Sequence, residues 1–159
     1  LEFQTVWMKV LFVAALAAIG VVLARRLSRP GVKLGRAPVT LAVPILVVWA
    51  IALATLVPDN AAQRTEAFFG RTWAVCPLLI AMLSVPIFAG TTWAMRGLAP
   101  TRLRLAGAAA GLVSGGAGAL VYCLHCPELT APFIGFWYLL GVLIPTGIGA
   151  LLGRRLLQW

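Results

Sequence analysis

Five apolar stretches, each about 20 residues long, divide this chain, and they decide what it can fold into. They lie near residues 5–27, 38–57, 74–95, 103–124 and 132–153. A helix needs about 20 such residues to cross a bilayer. Between them stand short segments rich in Arg, Gly and Pro. The chain is 62% hydrophobic and 11% charged, against about 25% charged in soluble domains. No aqueous fold hides that much apolar surface, so the solvent is lipid. Strict alternation of polar and apolar residues is absent, which argues against a membrane β-barrel. The stretches are too long and too many for a secretory signal. The expected fold is all-α, a polytopic membrane helix bundle with five spans in one domain covering 1–159.

The charges orient it. Arg25, Arg26, Arg29, Lys33 and Arg36 follow the first span. Arg96, Arg102 and Arg104 follow the third, and Arg154 and Arg155 follow the fifth. The alternate segments hold Lys9, Arg64 and Arg71 with all four acids, Glu2, Asp59, Glu66 and Glu128. Basic residues stay on the cytoplasmic side during insertion. The N-terminus is therefore expected outside and the C-terminus inside. The net charge of +9 follows from these loops, not from a nucleic-acid surface, and no direct nucleic-acid binding is expected. An odd span count with the N-terminus out leads us to expect a cytoplasmic segment and a first helix before Leu1, six spans in the parent protein. The plain alternatives are a natural five-span protein and a Leu1–Phe3 that is an artificial addition.

Gly107, Gly111 and Gly115 recur every fourth residue in the fourth span, with Gly116 and Gly118 beside them. Such spacing makes a groove into which a neighbouring backbone can approach, so this helix is expected at the centre. The run lies within a span and lacks a following Gly-Lys-Ser/Thr, so it is not a phosphate-binding loop. Pro44, Pro86 and Pro145 fall within spans two, three and five, where each removes a backbone hydrogen bond. Ser84, Thr91 and Thr92 can bond to a neighbouring helix or back to their own. No acid or base is expected deep in a span, which argues against a pump or an ion-coupled transporter. Trp7, Trp73 and Trp137 near the outer boundary, and Trp93 and Trp159 near the inner one, read as an aromatic belt.

Three cysteines and the chain's single histidine collect at one edge: Cys76, Cys123, His125 and Cys126. Cys76 opens the third span and Cys123-Leu124-His125-Cys126 closes the fourth, so antiparallel helices bring them to one depth. Four readings stay open. The thiols can form a plain stabilising disulfide or remain inert. Cys76 and Cys126 can bind a soft metal, with Cys123 or His125 completing the set and Glu128 accessory. The same pair can sense an oxidant or thiol-reactive signal. Cys123 and Cys126 can act as a CxxC exchange pair, a weak signal on its own. A quinone-linked thiol oxidoreductase would need a second cysteine pair, and only Cys76 remains. A metal transporter would need cytoplasmic thiols or histidines, which the sequence lacks. A structural membrane scaffold needs no chemistry.

Several stretches resemble one family. They are Cys76-Pro77, Leu98-Ala99-Pro100-Thr101, Gly107-Ala108-Ala109-Ala110-Gly111, Tyr122-Cys123-Leu124-His125-Cys126-Pro127-Glu128, Trp137-Tyr138, Gly149, Gly153 and Trp159. Trp7-Met8-Lys9 and Arg29-Pro30-Gly31 are also similar. The family is NrsF, bacterial inner-membrane negative regulators of sigma factor F. The resemblance implies a multi-pass anti-sigma factor of the inner membrane, not an enzyme. It implies a sigma-factor partner, an extracytoplasmic-function sigma factor held by a cytoplasmic N-terminal segment that is not among these residues. It implies that two outward cysteines, matching Cys76 and Cys126, respond to heavy metals such as chromate or cadmium. The ion would be a signal, and no resident cofactor is expected. Cys123 is an extra thiol beside the matched pair.

Overall fold

The computed structural model describes residues 2–158, with nothing said of the Glu2 side chain. Expectations attached to Leu1, to the Glu2 charge and to Trp159 fall outside the described residues. Among those residues there is no strand, and five helices are long and apolar enough to cross a membrane. They are α1 (Glu2–Leu27), the broken pair α2 (Ala37–Thr40) and α3 (Ala42–Leu56), α5 (Cys76–Arg96), α6 (Leu103–Cys123), and a composite last span. That span begins with α7 (Ala131–Phe133), passes through a π-helical turn (Ile134–Tyr138) and continues as α8 (Leu139–Leu156). A nine-residue surface helix, α4 (Ala61–Phe69), lies between α3 and α5.

Small residues on α6 set the architecture. Ala106, Ala110, Ser114 and Ala119 are fully buried, and α6 touches α1, α5 and α8. Gly107 faces the backbone of Gly149 and Gly153, and Gly111 that of Pro145 and Thr146, so α6 and α8 meet main chain to main chain. A Cβ added to Gly115 would stand 2.9 Å from the Val142 carbonyl oxygen. Gly116 faces Ala17 of α1, and Gly118 faces Ile80 and Ser84 of α5. Lipid is as apolar as Leu, so burying apolar surface gives little drive between membrane helices. Close approach and dispersion supply it instead.

The prolines act locally. Pro44 stands in the first turns of α3, four residues after Thr40, where α2 ends. Its ring opposes the carbonyl four residues earlier and its nitrogen has no hydrogen to donate, so the helix breaks at Leu41. Pro44 thus removes a main-chain bond inside the second span, across which Leu41 keeps helical dihedrals (φ −61°, ψ −31°). Pro86 and Pro145 lie inside α5 and α8. Ser84, Thr91 and Thr92 donate to carbonyls of their own helix, at 2.6 to 2.8 Å, and among the described residues make no bond to a neighbouring helix.

The two ends of the bundle differ. Arg102, Arg104 and Arg154 gather at one end, and Arg25 and Arg29 stand beside Met95 and Leu98 there. Arg26 donates to the Leu34 carbonyl at 2.7 Å and closes the loop after α1. The opposite end carries the cysteines and, around one surface hollow, Asp59, Glu66 and Glu128. The segment expected as a plain loop there contains α4. Asn60 caps it: its side-chain oxygen accepts the Gln63 N–H at 2.9 Å, and the Gln63 side chain accepts the Asn60 N–H at 3.2 Å. Two otherwise orphaned donors are thereby satisfied.

Candidate functional site

The cysteine end is assembled from four places in the chain. Cys76 is the first residue of α5 and fully buried, its N–H donating to the Thr72 carbonyl at 2.8 Å. Cys126 follows α6 by three residues and is buried too. Its N–H donates to the Tyr122 carbonyl at 3.0 Å, prolonging the helical turn before Pro127 ends it. The two thiols are neighbours around Thr72, whose carbonyl accepts the Cys76 N–H. The Thr72 hydroxyl stands 3.8 Å from the Cys126 sulfur. All three cysteines are free thiols.

Cys126 is held well below the ordinary thiol range, at about 5. The Cys76 side chain hydrogen-bonded to its sulfur is the largest cause, and the Glu128 backbone N–H adds to it, against burial acting the other way. A thiolate with two donors aimed at it is stabilised relative to the thiol.

Cys123, His125 and Glu128 take different positions. Cys123 ends α6, half-buried, with Lys9 and Tyr138 beside it. His125 is exposed, its ring 6.2 Å from that of Tyr122. Among the described residues no group of three or more His, Cys, Asp or Glu side chains is arranged to hold a metal ion. Neither Cys123 nor His125 therefore supplies a third ligand to the pair in this conformation. Glu128 is structural at this end: its carboxylate accepts the Arg71 N–H at 2.7 Å and lies against Gly70. Gly70 has φ +56° and ψ −152°, a region reserved in practice for glycine. A Cβ there would come within 2.7 Å of the Glu128 carboxyl carbon.

Two features lay hidden in the sequence. Lys9, counted among the outer-side charges, is 1% exposed within α1. Its ammonium donates to the carbonyl of Cys126 at 2.9 Å and of Glu128 at 3.4 Å, and sits 5.8 Å from the Tyr138 ring centre. Thus one buried base does occur in a span, satisfied by main-chain oxygens. The second feature is the π-helical turn, whose extra residue per turn redirects Trp137 and Tyr138. Trp137 is buried, not a lipid-facing belt residue, and its indole N–H donates to the Phe68 carbonyl of α4 at 2.8 Å. Tyr138 is fully buried beside Cys123 and Cys126, yet its hydroxyl makes no hydrogen bond of ordinary geometry. The capping pattern Asn60-x-x-Gln63 could have announced α4. Only the periodicity of α1 against its neighbours could have flagged Lys9, and one sequence does not show that.

The family described as negative regulator of sigma F matches residues 2–159. This chain belongs to the NrsF family. It is 58% identical over 153 residues to the probable anti-sigma-F factor NrsF of Azospira oryzae, covering 96% of this chain and 72% of that protein. It is 42% identical over 156 residues to the anti-sigma-F factor NrsF of Caulobacter vibrioides, with the same two coverages. No solved structure matches. The relatives are regulators by name.

Proposed function

We propose that this chain is the membrane-embedded part of an anti-sigma factor of the bacterial inner membrane, and that Cys76 and Cys126 are its signal-receiving groups. The relatives' names support the anti-sigma role. The sensing role is supported by one observation above others: α5 and the loop after α6 bring these two thiols together around Thr72 in a buried setting. The arginine end faces the cytoplasm and the cysteine end the outside, in keeping with the distribution of basic residues.

Two chemistries suit the pair. A soft divalent ion would bind both sulfurs as thiolates, releasing the proton or protons still held. An oxidant would take two electrons and two protons and leave a sulfur–sulfur bond. Either event ties the start of α5 to the end of α6. A signal of this kind works only if the tied and untied states differ in affinity for the partner. The partner is a sigma factor, engaged by an N-terminal cytoplasmic segment of the parent protein. The CxxC alternative is less favoured, because the Cys126 thiolate is stabilised first by Cys76, while Cys123 ends α6 beside Lys9 and Tyr138.

The test is made in cells with the full-length protein. Replacing both Cys76 and Cys126 with Ser should abolish induction of the sigma regulon by added heavy metal, while Cys123→Ser leaves most of it. A normal metal response in the double variant would refute sensing by this pair and leave a structural scaffold as the better reading.

A further inference from the structure

Lys9 is a charged side chain almost wholly withdrawn from solvent, in a helix whose residues 10–24 are all apolar. A buried ammonium persists only where hydrogen-bond acceptors replace water. Among the described residues no carboxylate bonds to it. Its acceptors are two main-chain carbonyls, both in the short segment Cys126-Pro127-Glu128. That segment has lost helical support: the last bond of the α6 turn ends at the Cys126 N–H, and Pro127 donates nothing. Thr130 anchors its far side, donating to the Ala67 carbonyl at 2.7 Å. Between Tyr122 and Thr130, Glu128 is also tied through its side chain to the Arg71 N–H, and the bonds from Lys9 are the ones that hold the main-chain carbonyls of Cys126 and Glu128. Removing them frees the residue whose sulfur must stay against Cys76.

We propose that Lys9 is the positioning residue of the thiol pair, its ammonium clamping the Cys126–Glu128 carbonyls so that the Cys126 sulfur is held against Cys76 at the start of α5. The inference rests on the reading of that pair as the signal-receiving site. It also makes α1 a party to the event. Any modification that rotates the Cys126 carbonyl acts directly on α1 through Lys9, and α1 runs to Arg25 and Arg26 at the other end of the bundle.

The test follows the speed with which the pair closes. The 159-residue chain, with Cys123→Ser to leave one bridge available, is treated in membranes with diamide. Diamide takes two electrons and two protons, one of each from each thiol, and the Cys76–Cys126 bridge forms. The rate is read by alkylating remaining thiols and weighing the peptides. Lys9→Met should slow closure roughly tenfold, the scale of one charge-assisted hydrogen bond. Lys9→Arg, which keeps donors and charge, should restore it to within about threefold. A residue that served only to hold the fold together would lower the folded yield without changing the rate in the folded fraction. Should Lys9→Met fold too poorly for kinetics, Lys9→Gln, uncharged and shorter in reach, is read in the same way. A Met or Gln variant that closes as fast as the parent overturns the proposal. That outcome leaves the sensing reading intact, because only a normal metal response in the Cys76/Cys126 double variant removes it.

Discussion

The waist of the bundle and its cysteine end are held by opposite means. At the waist, α6 and α8 touch through Gly107, Gly111, Gly149 and Gly153 with no side chain between them. Contacts of this kind are many, weak and close-packed, and they have one good arrangement. At the cysteine end the bonds are few and polar: Lys9 to two carbonyls, Glu128 to the Arg71 N–H, Trp137 to Phe68. One buried hydroxyl there, that of Tyr138, lies beside Cys123 and Cys126 without a hydrogen bond of ordinary geometry among the described residues. The waist resists change, whereas the cysteine end can exchange one set of polar bonds for another. The proposed sensing role needs both, since a shift at the thiols is useful only if a stiff frame carries it.

The contrast can be broken by substitution. The largest effect is expected at the waist. Gly111→Leu would drive a side chain into the Pro145–Thr146 backbone, where even modest overpacking costs about 1–3 kcal/mol and rigid main chain on the other side raises that further. Folded, monodisperse protein in detergent should nearly disappear. Unchanged yield and melting temperature would show that α6 and α8 are not locked as described.

The next effect is kinetic. With Cys126 ionising at about 5, its alkylation by a small reagent should change less than about twofold between pH 8 and pH 6, and fall as pH drops through the folded value. An ordinary thiol with a value of about 8.5 loses roughly 80-fold over the same range. The profile is measured on peptides carrying Cys126 alone, and an ordinary slope would mean that Cys76 does not stabilise its thiolate.

Gly70→Ala comes third. The glycine-only backbone and the adjacent Glu128 carboxylate predict a loss of about 1–3 kcal/mol, read as a lowered melting temperature with the waist intact. The smallest effect belongs to Tyr138→Phe. Removing a buried hydroxyl without a partner should leave stability unchanged or raise it by about 1 kcal/mol. A marked loss would mean that this hydroxyl does hold a bond, and that the cysteine end is less free to rearrange than the waist comparison implies.

The waist was legible in the sequence because its code is simple. Gly107, Gly111 and Gly115 share a face by spacing alone, and apolar length identifies the spans. The helix break at Leu41 was half legible: Pro44 was visible, but the carbonyl it opposes depends on register. The cysteine end was legible as a set of residues and not as a geometry. Antiparallel spans place Cys76 and Cys126 at one depth, yet which thiol faces which is fixed by rotation of α5 and α6, and spacing does not give rotation. Lys9 was misplaced for a physical reason. A lysine near the end of a span normally reaches for water, and this one instead finds main-chain carbonyls supplied by residues 117 and 119 positions away. The π-helical turn that carries Trp137 and Tyr138 has no composition of its own to read.

Mapping the bridge that forms when the wild-type chain is oxidised in membranes tests the central claim most directly. All three cysteines are left in place, the protein is treated briefly with diamide, and the linked peptides are identified by mass spectrometry. The account predicts Cys76 joined to Cys126, with Cys123 recovered in alkylated form. A Cys123–Cys126 bridge as the main product, or three unlinked thiols after oxidation, would contradict it.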